Sequence, residues 1–422
     1  MQPVALEKAG YVEQRRERLL EILTCLVGRA SENRAPWGEE GPCQEYIAGV
    51  LGGAGWQPRL YALDEVAGLR EHPLYWPGRE YRGRPNVVAR RRGSGGGRSL
   101  LLSGHVDTVP VGAAAWRHDP FGATVEGNRL YGRGACDMKA GLAAHLLVVE
   151  ALSELGVRLR GDLIFESVVD EEFGGVNGTL AGRLEGFRAD AAIVGEPSGL
   201  RVCPAQRGGR TVHLTFSAPN GGILAERGAL DVVEQLRVFL GAVPEFAAMR
   251  RRMAPVHPLY AGLADPVPVT VARIQTAAWG TSEPSNVPAS CQVELFWQTM
   301  PGETCETVDA QFGEWLAGVF PEAPEVSYPI RWLPGSAMGA DTELVRELTA
   351  TVERTLGRVP VIAGIEGPCD LFVFHELGIP AVLWGPQGGN IHMPDEYVEI
   401  DSLVESTQAL LEFVCSWCGE ED

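Results

Sequence analysis

Three short apolar runs that end in acid or imidazole constrain this chain more than any other feature. Ser99 to Val106 leads into His105 and Asp107, Asp162 to Val169 into Asp170, Glu171 and Glu172, and Ala191 to Val194 into Glu196. Each run reads as a strand. Asn86 to Arg92 is a further strand, joined to the first run by a Gly/Ser turn at Gly93 to Gly97. Helical spacing of apolar residues marks Tyr11 to Arg29 and Gly141 to Leu155. Strands alternating with helices predict an α/β fold with a mostly parallel sheet. In such folds the ends of the strands carry the functional groups.

The pattern changes near Gly208. Thr211 to Ser217 alternates as a half-exposed strand, and a helix follows at about Leu230 to Leu240. Strands at Val269 to Thr276 and Gln292 to Thr299, a helix at Cys305 to Val319 and a strand at Val326 to Trp332 complete the order βαββαβ. That order is a ferredoxin-like α+β arrangement, read here as a second domain inserted into the first. The expected division is 1–207 and 333–422 for the outer domain and 208–332 for the insert. After Asp341 the α/β pattern resumes, with helices at Thr342 to Leu356, Leu371 to Leu377 and Asp401 to Cys418 and a strand at Ala381 to Trp384.

Charge narrows the partners. The net charge is −19, and so acidic a surface repels phosphate backbones and anionic lipid. Nucleic acid and membrane are therefore not expected as partners. The sequence has no apolar stretch of transmembrane length, and Met1 to Arg18 is polar where a signal peptide would be apolar. The expected location is cytoplasmic. The nine cysteines are scattered and read as thiols, including the pair Cys415 and Cys418 near the end of the last helix.

Five stretches hold most of the chemistry. Gly104-His105-Val106-Asp107 ends a strand, and its His and Asp share a face. A carboxylate there suits holding the second nitrogen of a ligating His. Asp137, in the Gly-rich loop Tyr131 to Gly141, is either a helix cap or a rigidly held carboxylate. Asp170-Glu171-Glu172 places three acids in a row, where a metal or solvent offsets their repulsion. Glu196 follows a strand directly, and His392 lies in the late stretch Gly389 to Tyr397. Mixed His and carboxylate donors suit zinc, and this many fit two ions.

These five stretches, in this order and spacing, resemble the dinuclear-zinc aminoacylase and carboxypeptidase family, and the resemblance covers nearly the whole chain. It implies that Asp137 bridges two Zn²⁺ ions, for which Co²⁺ or Mn²⁺ can substitute. His105 and Glu196 would complete one site, Glu172 and His392 the other. Asp107 would orient His105, and Glu171 would be the general base. The resemblance also makes the insert a lid and homodimer interface. The implied activity is hydrolysis of the amide of a small N-acylated amine or amino acid.

The chain departs from that pattern at two points. The family's lid carries an oxyanion-stabilising His where this chain has Asn220, in a stretch that reads equally as a plain Asn-Gly-Gly turn. An amide can still donate to an oxyanion. Relatives also place a carboxylate-binding Arg where this chain has Phe372. Asn286, in the stretch Thr281 to Pro288, matches a residue that lines the family's active site. Arg207 and Arg210 are alternative cations, His213 is read as structural, and the loop Leu69 to Arg84 is either a pocket rim or a surface excursion.

The departures favour a second enzymatic reading, a deacylase or deformylase of an N-acyl heterocycle that lacks the usual carboxylate. A single-metal carboxypeptidase differs in metal stoichiometry. A non-catalytic binding protein on the same fold would have lost Glu171 or a ligand position, and all are present.

Overall fold

The computed structural model describes residue 8 and residues 10–218, 221–222, 231–276 and 286–421. The chain divides into two compact units. The first comprises Met1–Ala205, Ala337–Ile365 and Cys369–Asp422, and the second Gln206–Ser336 with Glu366–Pro368.

The first unit is built on a nine-stranded mixed sheet. Its centre runs Ala381–Leu383, Ala191–Val194, Leu100–His105 and Leu163–Val168, all parallel. Asn86–Arg91 and Arg59–Tyr61 extend one flank antiparallel, and Val202–Gln206 lies antiparallel to Ala381–Leu383 on the other. Four strands thus form a parallel centre. Those strands are buried along their length, which is why they read as continuous apolar runs.

Register aligns the strand ends. His105 stands opposite Val168, and Ser103 opposite Val194. The segments that follow, with Asp107, Glu171, Glu172 and Glu196, leave the sheet along one edge.

Helix Lys139–Glu154 is apolar nearly all round and buried accordingly. A Cβ at Gly141 would sit 1.9 Å from the Gly195 carbonyl oxygen. Only glycine lets this helix touch the turn that carries Glu196. Thr124–Glu126, Arg129–Tyr131, Tyr397–Glu399 and Gly388–Gly389 make a small second sheet. Residues 390–396, with His392, connect two of its strands.

In the second unit a four-stranded antiparallel sheet runs Val269–Gln275, Ser290–Thr299, Gly208–Ser217, Glu325–Ser327. With helices Val232–Met253 and Cys305–Val319 the chain order is βαββαβ. Val212, Leu214, Phe216, Val293, Leu295 and Trp297 alternate on the buried face and pack with Phe239, Phe246, Phe312 and Trp315. On the opposite face His213 Nε2 lies 2.9 Å from the carboxylate of its cross-strand neighbour Glu294.

Two elements differ from expectation. The helix expected to end near Leu240 continues to Met253 through Pro244, because Phe246 and Arg250 are buried beyond it. The last strand is Glu325–Ser327 only, since Pro329 cannot donate to a ladder.

Candidate metal centre

His105, at the end of its strand, is buried. Its Nδ1 hydrogen-bonds to the main-chain oxygen of Asp107 at 2.9 Å. A carbonyl only accepts, so Nδ1 carries a proton, and Nε2 is left facing the carboxylates, where it donates to Asp137 or, with its own proton released, would offer a lone pair to a cation. Nε2 lies 3.2 Å from Asp137 Oδ1, 3.6 Å from Glu196 Oε1 and 3.8 Å from Glu171 Oε2.

Asp137 turns its other oxygen to a second imidazole. His392 Nε2 is 3.4 Å from Asp137 Oδ2 and 2.8 Å from Glu172 Oε2. One carboxylate thus faces two imidazoles, each beside its own glutamate. Donor atoms about 2.0–2.2 Å from one ion lie roughly 3.3–3.6 Å apart. Most of these separations are close to that spacing, and His105, Asp137 and Glu172 offer ligand atoms within 4.8 Å of one another. The residues present fit a pair of divalent cations.

The electrostatics point the same way. Burial raises the Glu171, Glu172 and Glu196 carboxyls above their usual range, and neighbouring carboxylates add to it. Loss of water around the ring nitrogens opposes charge on both imidazoles, on buried His105 and at the inner edge of half-exposed His392, but the surrounding carboxylates win. His105 is raised well above its ordinary value by Glu196 and Asp137, and His392 to about 11 by Glu172 and Asp137. Burial pushes Asp137 upward, yet hydrogen bonds from both imidazoles hold it far below the usual range. So many carboxylates in a buried pocket call for more positive charge than two imidazoles supply.

Asp107 does not hold His105 in the expected way. Its carboxylate is 3.6 Å from Nδ1 and binds elsewhere. It accepts the N–H groups of Glu171 at 3.0 Å and Glu172 at 3.1 Å, and Asn33 Nδ2 at 2.9 Å. Main chain fixes the imidazole, while the side chain fixes the turn that presents both glutamates.

Two supports carried no individual assignment from sequence. Glu396 accepts the N–H groups of Gly134, Cys136 and Asp137 at 2.9–3.0 Å and Arg133 Nη1 at 2.7 Å, so it holds the loop that carries Asp137. Its place in the His392 stretch was the available signal. Asn33 links Asp107 to Asp170 and had none. The loop Leu69 to Arg84 is tied to the residues on both sides of the glutamates. Tyr81 donates to Asp170 at 2.7 Å, Trp76 N–H to Asn177 at 2.9 Å and Arg79 to the Phe173 carbonyl.

The structure corrects the expectation for Phe372. It lies 1% exposed in the core of the first unit, on helix Leu371–Glu376. A side chain packed there presents no accessible face to a substrate. Asn220 lies outside the described residues. Asn286 is in a two-residue strand paired with Gly222. Arg210 is ion-paired with Asp309 and so is not a free cation. Arg207 donates to the carbonyls of Glu366 and Pro266.

Comparison with known proteins identifies the family. The sequence pattern of peptidase family M20/M25/M40 matches residues 101–416. The chain is 27% identical over 442 residues to N-formyl-4-amino-5-aminomethyl-2-methylpyrimidine deformylase of Bacillus subtilis (strain 168), covering 97% of each chain. It is 30% identical over 389 residues to succinyl-diaminopimelate desuccinylase of Methylobacterium sp. (strain 4-46), covering 86% of this chain and 88% of that one. Human carnosine dipeptidase 1 has the same fold, with a TM-score of 0.76 at 17% identity over 98% of this chain and 99% of that one. Fold and matches together define a metal-dependent hydrolase of amide bonds. The chain belongs to peptidase family M20/M25/M40.

Proposed function

We propose that this protein removes the acyl group from a small N-acylated amine, using two divalent cations, preferentially zinc. His105, Glu196 and Asp137 would hold one ion, and His392, Glu172 and Asp137 the other. The observation that carries this reading is Asp137, whose two oxygens face two different imidazoles. When bound, the ions lower the pKa of a water and polarise the scissile carbonyl.

Glu171 takes a proton from the attacking water and passes it to the leaving amine. A carboxyl raised by burial is a better base than an exposed glutamate, which suits that shuttle. Asp107 keeps Glu171 and Glu172 in their separate places through their N–H groups. Asn220 and Asn286 are proposed substrate contacts from the second unit, through which two copies pair. No described helix is long and apolar enough to cross a membrane, and a cytoplasmic location accords with the reading.

The amine is proposed to be uncharged beside the scissile bond, as in an N-formyl heterocyclic amine. Phe372, at the place where the resemblance gives relatives a carboxylate-binding Arg, is core, and the full-length likeness to the pyrimidine deformylase supports the same substrate class. Arg207 favours a second reading, since a guanidinium whose hydrogen bonds go to main-chain carbonyls can anchor an anionic substrate.

The test compares kcat/KM for N-formyl and N-acetyl aminomethylpyrimidines with that for N-succinyl and N-acetyl amino acids. Equal or better values for the neutral amines support the first reading. A hundredfold preference for the free carboxylate, roughly 2.7 kcal/mol, selects the second, and Arg207→Gln should then abolish that preference.

A further inference from the structure

His392 stands in an exposed stretch. Residues 390–393 are all open to solvent, and Asn390, His392 and Asp395 have positive φ of 56°, 61° and 57°. Burial does not hold such a loop, and left-handed non-glycine residues persist only where their surroundings fix them. Two adjacent carboxylates supply that fixing. Glu396 binds the loop of Asp137, as described above. Asp395 reaches a different segment.

Asp395 Oδ1 accepts the N–H groups of Arg117 and His118, each at 3.0 Å, and lies 3.2 Å from His118 Nδ1. The imidazole of His118 is seated in turn. It stacks on Tyr131 with ring centroids 4.1 Å apart, and its Nε2 is 3.2 Å from Glu126. Within the loop, Asn390 Nδ2 donates to the Asp395 carbonyl at 3.0 Å, and Met393 N–H to the Asn390 carbonyl at 2.9 Å. A chain of bonds therefore runs from the hairpin Thr124–Tyr131 through His118 and Asp395 to the turn that presents His392.

We propose that Asp395 and His118 are positioning residues for His392, set apart from Glu396 because they act on one metal position and not on the bridge. The inference rests on the two-ion reading. Loosening the clamp frees His392 and leaves His105, Glu196 and Asp137 as they are. Partners that orient a ligand commonly contribute 10–100-fold to metal affinity.

The experiment is calorimetric titration of metal-stripped protein with Zn²⁺, with the unfolding temperature of each metal-free variant measured alongside. Wild-type protein should take two equivalents; a single equivalent would remove the two-ion reading, and this inference with it. Asp395→Ala should weaken one equivalent about 10–100-fold and leave the other within about threefold. Asp395→Asn should recover most of the loss, because its amide oxygen still accepts both N–H groups. His118→Phe keeps the stack on Tyr131 without Nδ1 and should weaken the same equivalent to a smaller degree. If Asp395→Ala does not fold, the Asn and Phe variants decide the matter. With two equivalents in the wild type, weakening of both together, or of neither in a folded variant, overturns the assignment of these residues alone.

Discussion

Glu171 and Glu172 are neighbours with different surroundings, and that difference is the sharpest statement at the residue scale. Glu172 lies against His392, while Glu171 is 3.8 Å from His105 with no imidazole of its own. Glu171→Gln keeps size and hydrogen bonding but takes no proton. Turnover should fall about 10²–10⁴-fold while metal content stays at the wild-type level; near-normal turnover would assign the base elsewhere. His145 offers a test away from the reaction. Both of its ring nitrogens are buried without a hydrogen-bond partner among the described residues, and burial lowers its pKa to about 3. The unfolded chain takes up this proton near pH 6.5, whereas the folded chain resists until about pH 3. Stability is therefore full above pH 6.5 and falls as the pH drops through that window, by about 1.4 kcal/mol per unit. His145→Leu should show a shallower loss of urea midpoint between pH 7 and pH 5 than wild type, and parallel losses would contradict the account.

Elements show where sequence reasoning reached and where it stopped. The strands ending at His105, Val168 and Val194 were legible because they are fully buried, so an apolar run stops abruptly at a polar group. Helix Cys305–Val319 was legible to the residue, with Thr304 as its cap. Helix Gly41–Gly53 was not, because it begins Gly-Pro and ends Gly-Gly, residues that ordinarily mark turns. The two- and three-residue strands of the small second sheet are too short to show a period. Asn33 was hidden for another reason: its partners lie 74 and 137 positions away, a pairing only the fold creates. The continuation of helix Val232–Met253 depends on Arg250, buried against Glu303 at 2.7–2.8 Å and Gln311 at 2.6 Å. Removing one partner of a buried pair costs about 3–5 kcal/mol. Arg250→Leu should lower the stability of the second unit by that order in urea unfolding followed by Trp fluorescence, with metal content unchanged. A loss below about 1 kcal/mol would mean the pair is not what anchors this helix.

At the scale of the whole molecule, the second unit ends on an open strand. Val269–Gln275 is the last strand of its sheet and is mostly exposed, and such edges invite pairing. Light scattering at micromolar concentration should find a dimer, and a fully active monomer would overturn the proposed pairing. The central claim, however, is that Asp137 joins two ions for amide hydrolysis. The most direct measurement is the metal content of purified, metal-replete wild-type protein beside Asp137→Ala. The account predicts two equivalents per chain in the wild type and almost none in the variant, because the one proposed bridge is gone. Less than one equivalent in the wild type, or two retained by Asp137→Ala, would contradict it.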